Sequence, residues 1–413
     1  MKSYIKITVR KILILAVLLP FITALSAGDQ FQILDKTFTV SENLGKGSFG
    51  DVYKVINSDG EVFAAKFVKD NPLLPLDVMA PRHKLHYDEF YKLHQSTHGI
   101  HPVLNIAVTK INSDKTKALV FLSPLRSYNL EQLLKSEQSI RLNNNDSAEQ
   151  LNFKLDQILS IVDDILKGTR VIHDAGYLHK DFKPANILIN SKSRAEISDW
   201  DFLIKLVAGI ETKKSGISLI GTPHYIAPER ILNSSPLSFH QDYYGIGGII
   251  YDTLAKYEST ARSYINKLGE EDLPPQMSVK YFRILYQNYD DYFEHLKFTL
   301  DSQKYQNNLD ATALKKFQLL RELALTFLQS DDPRYESLEL GYLNNAFEIK
   351  RKLIGRTRHS IPMLRKNLNL NHLATALKWT SSFPTLKLDA SASKLLCGRL
   401  QKILGKQKIQ ETK

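Results

Sequence analysis

The stretch L-G-K-G-S-F-G-D-V-Y-K-V, Leu44 to Val55, decides how this chain is read. Glycines at 45, 47 and 50 let backbone N–H groups approach a phosphate where a side chain would obstruct. After Gly50 the residues alternate apolar and polar, so the glycine turn leads into a strand. A dinucleotide-binding turn would open a helix instead, and that reading fails here. A single glycine loop is weak information. Four further blocks follow it in fixed order: Ala64-Ala65-Lys66, His179 to Asn186 (H-K-D-F-K-P-A-N), Ile197 to Phe202 (I-S-D-W-D-F) and Gly221 to Arg230 (G-T-P-H-Y-I-A-P-E-R).

Taken together these blocks resemble the eukaryotic-type protein kinase family, Ser/Thr branch, over roughly residues 38–345. The resemblance implies an α+β, bilobal protein-kinase-like fold: a small β-rich lobe first, a larger helical lobe second. The order of elements agrees with it. Residues 37–68 read as three antiparallel strands, Pro81 to His94 as a polar helix, and Ala118 to Leu122 as a short strand ending at a hinge through Ser123 to Leu125. Gln138 to Gln150 reads as a surface loop, and helical spacing starts at Leu155 with Ile158, Val162, Ile165, Leu166 and Ile172. Further helices are expected over Tyr243–Ala255 and Leu314–Gln329.

Phosphoryl transfer requires the phosphates to be held, charge to be neutralised and the nucleophile to be aimed. The resemblance assigns ATP binding to Gly45, Gly47, Gly50, Val52, Ala64, Lys66, Glu89, Leu122 and Leu125, with Glu89 paired to Lys66 and Leu122 as gatekeeper. Asp181 is the implied base for the acceptor hydroxyl, and Lys183 the cation on the transferring phosphate. Asn186 and Asp199 are the implied Mg²⁺ ligands, and Thr222 belongs to the substrate loop. The cofactors implied are ATP and Mg²⁺, and the partners are protein substrates bearing Ser/Thr hydroxyls. Asp242 to Gly247 resembles the helix start beneath the catalytic loop, and Arg334 is expected to pair with Glu229.

Two departures stand out. Lys180 replaces the Arg that usually precedes the catalytic Asp, offering a point charge in place of a planar fork. D-W-D replaces D-F-G, so Asp201 stands where glycine freedom is usual; it is read as capping a turn or adding charge near the metal. These two residues support a pseudokinase as the alternative. A small-molecule phosphotransferase is disfavoured by Lys183 and by the Gly221 to Arg230 block.

The ends differ from the centre. Lys2, Lys6, Arg10 and Lys11 precede a 16-residue uncharged run from Ile12 to Ala27, with small residues at its end. Residues 1–27 therefore read as a secretory signal peptide, or else as a membrane anchor, although the run is short against the ~20 residues that span a bilayer. Export of the chain is the expectation. Cys397 is the single cysteine, so no intramolecular disulfide forms. Residues 346–413 hold 15 Lys/Arg and 3 Asp/Glu, while the other 345 residues sum to −1 of the +11 total. This basic tail reads as helical, with a stripe of Leu396, Leu400, Ile403 and Leu404; it suits either helices packed on the larger lobe with a solvated basic face or contact with an acidic partner or a membrane surface. Nothing in it specifies nucleic acid.

Overall fold

Alternation along residues 36–69 does build strands. In the computed structural model, which describes residues 25–47, 50–69, 75–94, 96–111, 117–137, 139–206, 222–231, 237–268 and 285–329, the chain divides into two compact units. Unit 1 comprises the chain up to 95 and Pro102–Leu125; unit 2 comprises Ser96–His101 and everything from Arg126. Most of residues 1–27, residues 207–220, Arg334 and the 346–413 tail lie outside the described residues. So does Gly221.

Unit 1 is a six-stranded antiparallel sheet. Its strands are β1 (Gln30–Ile33), β2 (Lys36–Lys46), β3 (Gly50–Asn57), β4 (Val62–Lys69), β5 (Asn105–Lys110) and β6 (Lys117–Pro124), in the order β1-β2-β3-β4-β6-β5. Because strand side chains alternate, register assigns them to faces. Tyr53, Ala65 and Leu122 are cross-strand partners, and all three belong to the apolar core with Phe31, Phe38, Phe67 and Val120. Leu25 packs against this core and its N–H donates to the Tyr53 hydroxyl at 3.1 Å, so the end of the signal-like segment is part of unit 1. The opposite face carries Val52, Lys66 and Phe121 in register, beside Ala64 and Ser123.

Helix α1 (Leu76–His86) begins five residues before the expected start at Pro81 and contains that proline. A proline cannot donate to the turn before it, but it continues the helix here at an exposed position. The helix then widens into a π turn at Tyr87–Tyr91. Its buried side presents Met79, His83 and His86, and the His83 ring stands edge-on to Phe121 at 5.0 Å.

Unit 2 is mainly helical: α2 (Leu130–Lys135), α3 (Ala148–Asp174), α4 (Pro228–Ile231), α5 (His240–Leu254), α6 (Tyr257–Lys267), α7 (Tyr289–Asp301) and α8 (Ala311–Phe327). Helix α3 starts inside the expected loop. Ser147 accepts from the Gln150 N–H while the Gln150 side chain accepts from Ser147, a capping box that satisfies two orphan donors. Helix α5 is buried on nearly all sides, as a central helix must be when its sequence is apolar all round. Short strands β7 (Tyr128–Asn129), β9 (Ile187–Ile189) and β10 (Ala195–Ile197) form one small sheet in the order β10-β9-β7. β8 (Tyr177–Leu178) and β11 (Ile204–Lys205) pair separately.

Candidate active site

Each unit carries its own set of the residues expected from the sequence. In unit 1 the glycine stretch is a hairpin: β2 carries Gly45, Gly47 N–H donates to Gly50 O at 2.9 Å, and β3 leaves from Gly50. Two register irregularities in β2, between Val40 and Glu42 and between Asn43 and Gly45, bend the strand before the turn. At Gly50 the absence of a side chain is obligatory, since a Cβ would lie 2.3 Å from the Phe67 carbonyl oxygen of β4. Gly45 pairs with Val52, and Val52 with Lys66, so the glycine turn, Val52 and the lysine stand on adjacent strands. Lys66 and Ala64 are half-buried on one face.

Leu122 does not share that face. It is 5% exposed and belongs to the core beside its cross-strand partner Ala65, while Phe121 is the partner of Lys66 and Ser123 that of Ala64. The reason is the period of two along a strand: a shift of one residue moves a side chain to the other face. On the Lys66 face the β6 residues are Phe121 and Ser123. Leu125 is half-buried just beyond β6. Glu89 lies on the exposed side of the π turn, next to buried Phe90.

In unit 2 the catalytic-loop residues converge. Asp181 is 3% exposed. Pro184, with its preset φ, starts a single 3₁₀ turn over Pro184–Asn186 that folds Asn186 back. Its Nδ2 then donates to the Asp181 backbone oxygen at 2.8 Å and to Oδ2 at 2.9 Å. Lys183 Nζ stands 2.7 Å from the same Oδ2. Thr222 donates to Oδ1 through its N–H at 3.0 Å and its hydroxyl at 3.3 Å. The Asp181, Lys183, Asn186 and Thr222 positions, far apart in sequence, are one cluster.

The loop is fixed from below by Asp242 at the start of α5. Its two oxygens accept the backbone N–H groups of Lys180 (2.8 Å) and His179 (2.9 Å), and His173 Nε2 lies 2.9 Å from Oδ2. Burial alone would raise this carboxyl, but the His173 bond, the nearby imidazoles and the His179 N–H outweigh it and hold Asp242 below the ordinary carboxylate range. Lys180 (φ 71°) and Asp199 (φ 68°) adopt left-handed backbone, uncommon for residues with a Cβ, and they flank the site in sequence. His179 Nε2 lies 2.9 Å from Ser198 O, and Ser198 donates from both N and Oγ to Asn186 O at 2.9 Å. The Asn186 and Asp199 segments are thereby bound together. Trp200, 4% exposed, sets its ring edge-on to His179 at 5.4 Å. Asp201 is buried in the turn closed by Leu203 N–H on Trp200 O.

Glu229 is 1% exposed, and His240 Nε2 lies 3.9 Å from it, a neighbour the sequence does not suggest. His173 has no sequence signal, and Ser198 lies inside the I-S-D-W-D-F block without being singled out there. Among the described residues no cluster of three or more His, Cys, Asp or Glu holds a metal ion. Asn186 and Asp199 supply two oxygen donors, which fits Mg²⁺, an ion that keeps several waters and takes further ligands from substrate phosphates. With Nδ2 of Asn186 committed to Asp181, Oδ1 is its remaining donor atom.

A family model of the protein kinase domain matches residues 38–313. Serine/threonine-protein kinase PknD of Chlamydia felis is 26% identical over 265 residues, covering 57% of this chain and 25% of that protein. PknD of Chlamydia pneumoniae is 30% identical over 230 residues, 51% of this chain and 23% of its own length. Smooth-muscle myosin light chain kinase of Gallus gallus is 27% identical over 223 residues, 53% of this chain and 10% of its own length. The chain thus spans a quarter or less of the length of these relatives.

Proposed function

This chain belongs to the protein kinase domain family, and we propose that it transfers the γ-phosphoryl of ATP to serine or threonine hydroxyls of protein substrates. The observation that carries the reading is the Asp181 cluster. A carboxylate 3% exposed, gripped on one oxygen by Asn186 and Lys183 and on the other by Thr222, is a fixed acceptor for a hydroxyl proton.

In this reading Asp181 orients the acceptor hydroxyl and takes its proton, and Lys183 offsets charge on the transferring phosphoryl group. The N–H groups of the Gly45–Gly50 turn and the Lys66 ammonium hold the phosphates, with Val52 and Ala64 against the base. Asn186 and Asp199 would hold Mg²⁺, which would supply charge neutralisation for the phosphates. Thr222 ties the substrate loop to the base. The Ser/Thr preference rests on Lys183, whose position belongs to that branch of the family. The test is transfer of labelled phosphate from ATP by the full chain to generic basic proteins, with phosphoamino-acid analysis. Phosphotyrosine alone, or equal transfer by Asp181→Asn, rejects the reading.

Export through residues 1–27 is part of the same proposal and rests on the cationic start and uncharged run alone. Recovery of full-length chain from the cytosolic fraction, with none in a secretory fraction, rejects it. The basic tail is proposed to contact an acidic or membrane surface; equal liposome sedimentation with and without residues 346–413 rejects that.

A further inference from the structure

Glu196 lies three residues before Asp199 on β10 and is 8% exposed, yet it is not used in the site described above. Both of its oxygens are saturated. Arg126 grips it as a fork, Nε to Oε2 at 2.8 Å and Nη2 to Oε1 at 3.1 Å. His101 Nδ1 stands 2.9 Å from Oε2, and Asn190 Nδ2 donates to Oε1 at 2.9 Å. Burial alone would raise this carboxyl; the bonds from His101, Arg126 and Asn190 outweigh it and take it down to about 2. A buried carboxylate with every lone pair engaged fixes whatever its partners belong to.

Those partners have particular places in the chain. His101 ends the Ser96–His101 segment, and Arg126 directly follows Leu125, so each is a unit 2 residue at a point where the chain passes between units. Asn190 directly follows β9, and Asn186 directly precedes it. The 96–101 segment is itself locked to β10. His101 N–H donates to Ile197 O at 2.8 Å and Ile197 N–H to Gly99 O at 2.9 Å. Gly99 (φ 81°) allows this approach, since a Cβ there would lie 2.4 Å from the Asp164 carbonyl oxygen of α3. Asp164 in turn binds His98 and Arg194.

We propose that Glu196 is a positioning residue for the phosphoryl-transfer site, acting through β9 and β10 to hold Asn186 and Asp199 in one arrangement with the 96–101 segment and Arg126. The inference rests on the kinase reading above. Outer residues that orient metal ligands commonly change metal affinity 10- to 100-fold when removed. The fork geometry of Arg126 makes its exchange for lysine a partial loss, not a neutral one.

The test compares the full chain with E196Q and R126K by two measurements: Mg²⁺ dependence of transfer at saturating ATP, and amide hydrogen exchange without nucleotide or metal. E196Q is expected to raise the half-saturating Mg²⁺ about 10-fold, leave the KM for protein substrate unchanged, and speed exchange at Ile197 and His101. R126K should move the same quantities by a smaller factor, which decides the matter if E196Q does not fold. Unchanged Mg²⁺ dependence overturns the inference, whether or not exchange accelerates, because a merely structural role moves only exchange. Wild-type chain that neither binds nor uses Mg·ATP removes the kinase reading and the inference together. Wild-type activity with unaltered Mg²⁺ dependence in both variants removes the inference alone.

Discussion

Thr222 donates twice to one atom of Asp181: its N–H at 3.0 Å and its hydroxyl at 3.3 Å both reach Oδ1. In the proposed mechanism this bonds the substrate loop to the base. A hydrogen bond to a charged group contributes about 1.5–3 kcal/mol. Thr222→Val keeps the N–H bond and loses the hydroxyl, so kcat should fall about 10-fold with KM for ATP unchanged. Thr222→Ser should restore kcat. Steady-state kinetics on one protein substrate decides, and a valine variant at wild-type kcat contradicts the role.

Asp242 accepts from two consecutive backbone N–H groups and faces His173. Asparagine has one acceptor oxygen and would direct its NH₂ at one of those N–H donors. Asp242→Asn should therefore destabilise unit 2 by about 3 kcal/mol, seen as a lower thermal midpoint in the absence of nucleotide. An unchanged midpoint excludes Asp242 as the support of the catalytic loop.

Faces of the unit 1 sheet give a third prediction. Leu122→Ala should cost about 3 kcal/mol of stability and leave the KM for ATP alone, because its side chain fills the core. Phe121→Ala should shift the KM for ATP several-fold, because it shares the face of Lys66. The reverse pattern in the two variants would place Leu122, not Phe121, against the nucleotide.

Acid sensitivity follows from buried imidazoles. Burial pushes His224 down to about 4, and it also lowers His101 and His240. In the unfolded chain these groups titrate near 6.5. Below that pH the unfolded state binds protons that the folded state does not, so stability falls as pH drops from about 6.5 toward about 4. His224 alone contributes about 3 kcal/mol across that window. The depressed Glu196 adds a further loss only between about 4.5 and about 2. Thermal midpoints from pH 7 to pH 4 should decline more steeply in wild type than in His224→Gln; parallel curves contradict the assignment.

What could be read in the sequence follows from what has a local period. Alternation on both sides of Gly50 specifies strands, and the five-residue spacing of Asp181 and Asn186 places both at one carboxylate once Pro184 sets the turn. Faces are harder. Leu122 and Phe121 are both apolar, and only pairing with Lys66 tells which one shares its side. The start of α3 was legible in Ser147-x-x-Gln150 as a capping box, hidden by the Asn-rich run before it. The His101–Glu196–Arg126 assembly had no local signature, because its members meet only through tertiary contact.

Transfer of labelled phosphate from ATP, compared between wild type and Asp181→Asn, tests the central claim most directly. Phosphoserine or phosphothreonine formed by the wild type and abolished in the variant, with the variant still stabilised by Mg·ATP, is the predicted result. Equal labelling by both proteins, or no labelling of any protein substrate by the wild type, would contradict it.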